Sequence, residues 1–179
     1  MGILYCKWKV AHSHIKNYQF SMHDLITAPE FIVSKWLNCE KPLSLEALRG
    51  KVVMVVAFQM LCPGCAIEAI PQANKIFASF AEKDLAVIGL HTVFEHHAAM
   101  QEESLKAFLH EYKVAFPVAI DKPTEGYPIP HTMGIYQMQG TPTLLLIDRQ
   151  GRLRTNHFGH VPDLLLGAEL MKLILEKQE

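Results

Sequence analysis

A chain of 179 residues that is 50% hydrophobic, with a mean hydropathy of +0.11, has enough apolar mass for one domain with a full core and too much to remain disordered. Its net charge of −1 and pI of about 6.8 offer no basic surface of the kind that nucleic acid or anionic lipid requires, so neither is expected as a partner. No stretch nears the roughly 18 continuous apolar residues of a membrane span, and Lys7, Lys9, His12, His14 and Lys16 interrupt the region where a signal peptide would carry an unbroken apolar core, so a cytoplasmic chain is expected.

In chain order, residues 1–30 read as an N-terminal extension and residues 31–179 as a single domain. The first core element is the apolar run Val52-Val53-Met54-Val55-Val56-Ala57-Phe58, a strand pattern. Cys62-Pro63-Gly64-Cys65 follows it, and behind that motif Ile67, Ile70, Phe77 and Phe80 recur at helical intervals. Leu85-Ala86-Val87-Ile88-Gly89-Leu90 is a second short strand, which completes a β-α-β unit. Leu105, Phe108, Leu109 and Tyr112, spaced by three and four, mark another amphipathic helix, and Phe116 to Ile120 another strand. Pro123, Gly126, Pro128 and Pro130 make residues 121–131 a stiff, irregular loop. Thr143 to Ile147 and Leu153 to Phe158 flank Asp148-Arg149-Gln150-Gly151, a turn suited to an antiparallel hairpin. Leu166, Leu170, Leu173 and Ile174 turn the last helix inward. Apolar strands alternating with helices need a sheet buried on both faces, so a mixed central sheet in a three-layer α/β/α arrangement is expected, with no internal repeat or low-complexity segment.

Two thiols separated by two residues can close a disulfide ring and reopen it, which makes Cys62 and Cys65 a candidate redox centre. If the motif opens the helix, Cys62 lies where free backbone N–H groups and the helix dipole favour an anion, and its thiolate is stabilised. Pro63 suits the first helical turn, where its missing N–H costs nothing. Cys65 stands about one turn on and can face back toward Cys62. A structural pair of buried cysteines and half of a zinc site are the competing readings; no second CxxC or Cys/His pair at ligand spacing stands ready to complete a zinc site.

Other chemistry-bearing residues are less specific. Cys6 and Cys39 stand alone and read as structural. His91, His96 and His97 with Glu95 are of metal-ligating type, but adjacent His96 and His97 diverge on a strand or a helix, so a solvated loop is favoured and no metal or other cofactor is expected. His91 ends a central strand, where it is a candidate to tune the dithiol, with partial burial and no catalytic role as the favoured reading. Glu68, on the helix behind the motif, is a candidate proton relay to Cys65 or an ordinary surface carboxylate.

Taken together, Leu45-Glu46-Ala47-Leu48-Arg49-Gly50-Lys51, the Cys-Pro-Gly-Cys motif, Glu68 three residues beyond Cys65, and Gly140-Thr141-Pro142-Thr143 resemble the thioredoxin fold. Within it they resemble the TlpA-like and redoxin branch of thiol–disulfide oxidoreductases, related to the AhpC/TSA group. Tyr136, Ile147-Asp148, Gly151 and Gly159 also stand where this branch places them, and the resemblance runs from about Trp36 to the C-terminus. It implies a cis Pro142 lying against the dithiol, with Thr141 and Pro142 positioning an extended substrate strand beside Cys62. It also implies attack by Cys62 and resolution by Cys65. Two departures stand out. Met60-Leu61 replaces the usual Trp before the first Cys, and Pro71 follows Cys65 by six residues where five is usual.

The expected function is therefore thiol–disulfide exchange with disulfide- or dithiol-containing proteins or small thiols, recharged by an upstream thiol reductant, as part of redox homeostasis and antioxidant activity. A peroxiredoxin-like thiol peroxidase with Cys62 as the attacking cysteine is the alternative. Peroxiredoxins carry Thr or Ser three residues before that Cys, where this chain has Gln59, a residue that can also hydrogen-bond a peroxide or tune the site. A non-catalytic binding module that docks partners beside Pro142 is the third reading.

Overall fold

The computed structural model describes residues 26–177. Six strands form one mixed sheet: β1 (Val33–Leu37), β2 (Val52–Phe58), β3 (Leu85–His91), β4 (Val118–Asp121), β5 (Thr143–Ile147) and β6 (Leu153–Phe158), in spatial order β1-β4-β3-β2-β5-β6. β2, β3 and β4 run parallel, while β1, β5 and β6 are each antiparallel to their neighbours. Helices α1 (Ile70–Ser79), α2 (Glu102–Glu111), α3 (His131–Ile135) and α4 (Asp163–Leu175) complete the unit.

Every residue of β2 is buried, as an unbroken Val-rich run requires at the centre of a sheet covered on both sides. Alternation then sorts the two faces. Val52, Met54, Val56 and Phe58 pack with Leu105, Leu109, Leu166 and Leu170 from α2 and α4. Val53, Val55 and Ala57 pack with Leu45, Leu48, Met133 and Tyr136 on the opposite face. Gly89 in β3 is required by close approach, since a Cβ there would stand 3.0 Å from a Val118 methyl and 3.2 Å from the rings of Phe116 and Phe58. The sharp β5–β6 turn uses Gly151 at φ +73, with Gly151 N–H donating to Asp148 C=O at 2.8 Å. The Asp148 carboxylate accepts from the N–H groups of Gln150 and Arg152 and pairs with Arg152 and Arg154.

The three-layer α/β/α arrangement and the hairpin are as expected. Three details differ. Ile67 of the helical series is 73% exposed, because the helix behind the dithiol begins as a π-helical turn over Cys65–Ala69 whose extra residue rotates it outward, and Phe77, near the last turn of α1, is 41% exposed with its ring edge-on to that of Phe116 at 5.9 Å. That turn also accommodates the late Pro71: Ile70 N–H reaches back to Cys65 C=O, and Pro71, which has no N–H to place, opens the regular helix. The third detail concerns residues 26–30, read as part of an extension. They belong to the packed unit, with Ala28 N–H bonded to Gly151 C=O at 2.8 Å, Ile26 C=O bonded to Leu153 N–H at 3.0 Å, and the Glu30 carboxylate accepting from the N–H groups of Leu45 and Glu46.

Candidate active site

The dithiol is placed by the end of β2. After Phe58 the chain turns through Gln59, Met60 and Leu61, and Cys62 N–H closes the turn on Gln59 C=O at 3.2 Å. Cys62 C=O then accepts from the N–H groups of both Cys65 (3.0 Å) and Ala66 (3.1 Å), so the helix starts at Pro63 with Cys62 as its N-cap residue. Both cysteines are free thiols, Cys62 3% and Cys65 0% exposed.

The second wall is the loop before β5. The Thr141–Pro142 peptide is cis. A Cβ on Gly64 would lie 3.5 Å from Pro142 Cδ, ordinary van der Waals contact, so the first helical turn abuts the proline ring. Thr141 C=O lies 3.4 Å from Cys62 Sγ and accepts the thiol proton. Pro142 C=O is already taken by Gly159 N–H (2.8 Å), which ties the end of β6 to this loop. Thr143 Oγ1 donates to Gly140 C=O at 2.7 Å and braces it from within.

The two thiols are electrostatically unequal. A hydrogen bond from the Cys65 thiol, assisted by the N–H groups of Cys65 and Gly64 and by the Thr141 hydroxyl, outweighs burial and brings the Cys62 pKa down to about 6. Burial pushes Cys65 far up, and donating to Cys62 holds its proton more tightly still. The Thr141 hydroxyl is buried without a nitrogen or oxygen partner of its own, and it acts on both sulfurs. At pH 7 the balance at Cys62 is then shifted from thiol toward thiolate, whereas an unperturbed thiol stays almost wholly protonated.

The other residues named from sequence fall around this pair. Gln59 is buried and neither atom of its side-chain amide has a partner in the protein; its backbone N–H favours the Cys65 thiolate. Glu68 lies on the π-helical turn with Oε2 buried and unpartnered. His91 is 1% exposed at the end of β3, its ring 5.3 Å from that of Phe58, and burial brings its pKa down to about 4. His96 and His97 are exposed, and among the described residues no three His, Cys, Asp or Glu side chains converge as a metal site. Cys39 follows β1 at the end of the sheet away from the dithiol, and Cys6 lies outside the described residues. Sequence reasoning missed His160, whose Nδ1 is buried without a partner beside Gly159; only the Gly159–Pro142 hydrogen bond brings it to the site.

The AhpC/TSA family model matches residues 26–156. A thiol-disulfide oxidoreductase ResA from Bacillus cereus is 30% identical over 146 residues, covering 82% of this chain and 76% of that protein. This chain spans 64% of the length of other ResA relatives from Bacillus. Among solved structures, a thioredoxin-like superfamily protein superposes with a TM-score of 0.83 at 55% identity, covering 86% of this chain and 99% of that one. A thiol-disulfide isomerase from Corynebacterium glutamicum superposes at 0.80 with 50% identity, covering 84% and 98%. With an N-capping dithiol of unequal thiols set against a cis-proline loop, the chain belongs to the AhpC/TSA family and is a thiol–disulfide oxidoreductase of thioredoxin fold.

Proposed function

We propose that this protein reduces disulfides in partner proteins, with Cys62 as the attacking and Cys65 as the resolving cysteine. The observation that carries this assignment is the inequality of the pair: Cys62 is held as a thiolate near neutral pH, while Cys65 is held protonated and donates to it. Cys62 Sγ attacks one sulfur of the partner disulfide, forming a mixed disulfide and releasing the other partner sulfur as a thiolate. Once the Cys62 charge is consumed, Cys65 loses the anion that raised its pKa. It then gives up its proton, attacks Cys62 Sγ and expels the second partner thiolate. Two electrons pass to the partner, and an upstream thiol reductant restores the dithiol.

Thr141 and Pro142 supply the docking edge in this scheme. In the thiol form Thr141 C=O is occupied by Cys62; the thiolate has no proton to donate, so ionisation frees that carbonyl for the N–H of an extended partner strand. Leu61, 56% exposed, and Pro63 form an aliphatic rim where the family's Trp would stand, and they contact apolar residues flanking the partner cysteine. Glu68, three residues past Cys65 with a carboxylate oxygen buried and unpartnered, receives the Cys65 proton in the resolving step. We propose that it works in the cytoplasm, where the glutathione poise keeps the pair charged as a reductant. The test is insulin reduction driven by dithiothreitol: the wild type accelerates precipitation of the insulin B chain, and full activity in Cys62→Ser would overturn the proposal.

A further inference from the structure

Helix α4 is apolar on two opposite sides, and among the described residues only one of them is covered. Leu166, Leu170 and Leu173 are buried and pack with Val52, Met54 and Val56 of the sheet. Leu164, Ala168, Met171 and Leu175 face the other way and are exposed, Leu164 at 91% and Leu175 at 71%. A helix that is apolar nearly all round is ordinarily buried all round, and a contiguous apolar face left open marks an interaction surface.

The spacing of the open face says what fits it. Steps of four, three and four residues from Leu164 to Leu175 are those of a seam along which two helices pack side by side. The same steps read identically from either end. A second α4 laid antiparallel about a two-fold axis therefore sets Leu164 against the second copy's Leu175, and Ala168 against the second copy's Met171, a small residue opposite a large one. A seam that is its own complement favours another copy of this chain over an unrelated partner.

Gly167 is an independent observation. Glycine in the middle of a helix weakens it, yet a Cβ at Gly167 would meet nothing within 4 Å, so the chain's own packing does not require the glycine. In the antiparallel pair Gly167 lies on the flank that faces the second copy's Ile174, where a missing side chain lets the two helices close. On the other flank Lys172 lays its aliphatic stem over the second copy's Leu165. Asp163 and Glu176 are already paired with Lys75 and Arg154, so no uncompensated acidic groups meet across the seam. Thirteen residues make a helix about 20 Å long. Two such faces bury less than the about 1,200 Å2 of a standard interface, so the pairing is weak and reversible. The helix begins at the dithiol end of the sheet, where Gly159 is bonded to Pro142, and antiparallel pairing sends the two dithiols to opposite ends, both open to substrate.

We propose that the outer face of α4 pairs two copies of this chain antiparallel in a weak, reversible dimer, with Leu164, Ala168, Met171 and Leu175 at its core.

Sedimentation velocity of the full chain, kept reduced so that no disulfide joins two copies, tests this. The 20.2 kDa monomer should give way to a species of twice that mass as concentration rises from about 5 µM to about 1 mM, the range in which small interfaces associate. Leu164→Glu and Leu175→Lys each place a charge in the seam and should each weaken association by about tenfold or more. Both positions are exposed and each charge suits its end of the helix, so the variants should fold and reduce insulin at the wild-type rate. Combined in one chain, the two substitutions should restore association, because antiparallel pairing sets each new carboxylate against the other copy's new ammonium. Gly167→Leu should weaken association while leaving the monomer's unfolding midpoint unchanged or higher. A monomer at every concentration, single variants that associate as the wild type does, or a double variant no tighter than the single ones would each overturn the proposal. A monomer whose unfolding midpoint falls in Leu164→Glu would show that the seam is covered by its own chain and would overturn it equally.

Discussion

Replacing Cys65 with Ala should move the ionisation of Cys62 upward by an amount the structure bounds. The Cys62 pKa stands at about 6 against an ordinary value of 9.0, and the hydrogen bond from the Cys65 thiol is the largest cause. A hydrogen bond to a charged group is worth about 1.5–3 kcal/mol, or roughly one to two pH units at 1.36 kcal/mol per unit. Cys65→Ala should therefore place Cys62 at about 7–8, with the N–H groups of Cys65 and Gly64 and the Thr141 hydroxyl retaining the rest. The assay is iodoacetamide alkylation across pH, read by mass spectrometry on the Cys62 peptide so that Cys6 and Cys39 do not contribute. Thiolate nucleophilicity rises with pKa with a Brønsted slope of about 0.4–0.5, so loss of thiolate and gain of reactivity oppose one another. At pH 6 the variant should react about two- to six-fold more slowly than the wild type, and at pH 9 about three- to eight-fold faster. The two rate profiles must cross. A variant whose midpoint stays near 6 would show that the helix end alone sets the thiolate and would refute the proposed asymmetry.

Four further outcomes are expected. Cys62→Ser should abolish insulin reduction; if peroxide is consumed by the wild type with sulfenic acid at Cys62, the peroxidase activity is present as well, and consumption no faster than in Cys62→Ser excludes it. Glu68→Gln should leave the first attack on a model disulfide unchanged and slow resolution, seen as accumulation of the mixed disulfide at Cys62; equal slowing of both steps would remove Glu68 from the proton path. His91 is depressed to about 4 from 6.5, so the unfolded chain binds its proton first and stability falls as pH drops from 6.5 to 4, by about 3 kcal/mol. Burial raises Asp121 and works in the opposite direction above pH 3.8, so the comparison is denaturant unfolding of wild type against His91→Phe, which should lose that acid-side slope. Gly89→Ala should cost about 1–3 kcal/mol, as crowding of a close-packed core does, and a neutral result would mean that β4 gives way freely.

The parts of the fold written in periodicity were legible. β2, β3 and the β5–β6 hairpin are continuous apolar runs with turn residues between them, and the inward side of α4 follows from spacing alone. Weak or short signals were not. Val33-Ser34-Lys35-Trp36-Leu37 does not alternate cleanly, because β1 is a half-exposed edge strand, bulged where it pairs with β4. α3 has five residues, too few for a helical period to show, and it follows directly on the proline-rich loop. The displaced proline was visible, but spacing could not distinguish a shifted kink from a π-helical turn; that choice depends on where Ile70 N–H finds its acceptor.

What sequence could least reveal is the shared property of the site's polar groups. Six buried side-chain atoms of the described residues lack partners, and they belong to Gln59, Glu68, His91, Thr141 and His160. All five residues lie at one end of the sheet, at the ends of β2, β3 and β6 or in the turn and loop that face them, while buried Asp121 at that same end, and buried Asp148 and Gln72, are hydrogen-bonded within the protein. Folding alone would favour apolar replacements at such positions, since an unsatisfied buried polar group costs about 1–3 kcal/mol. Unpaired groups gathered around one dithiol are the pattern of a site whose partners arrive from outside the folded core, such as a proton at Glu68. Periodicity records which residues the core needs. The orphaned groups are visible only when three separated chain segments meet, because each of these residues in its own sequence context is an ordinary Gln, Glu, His or Thr.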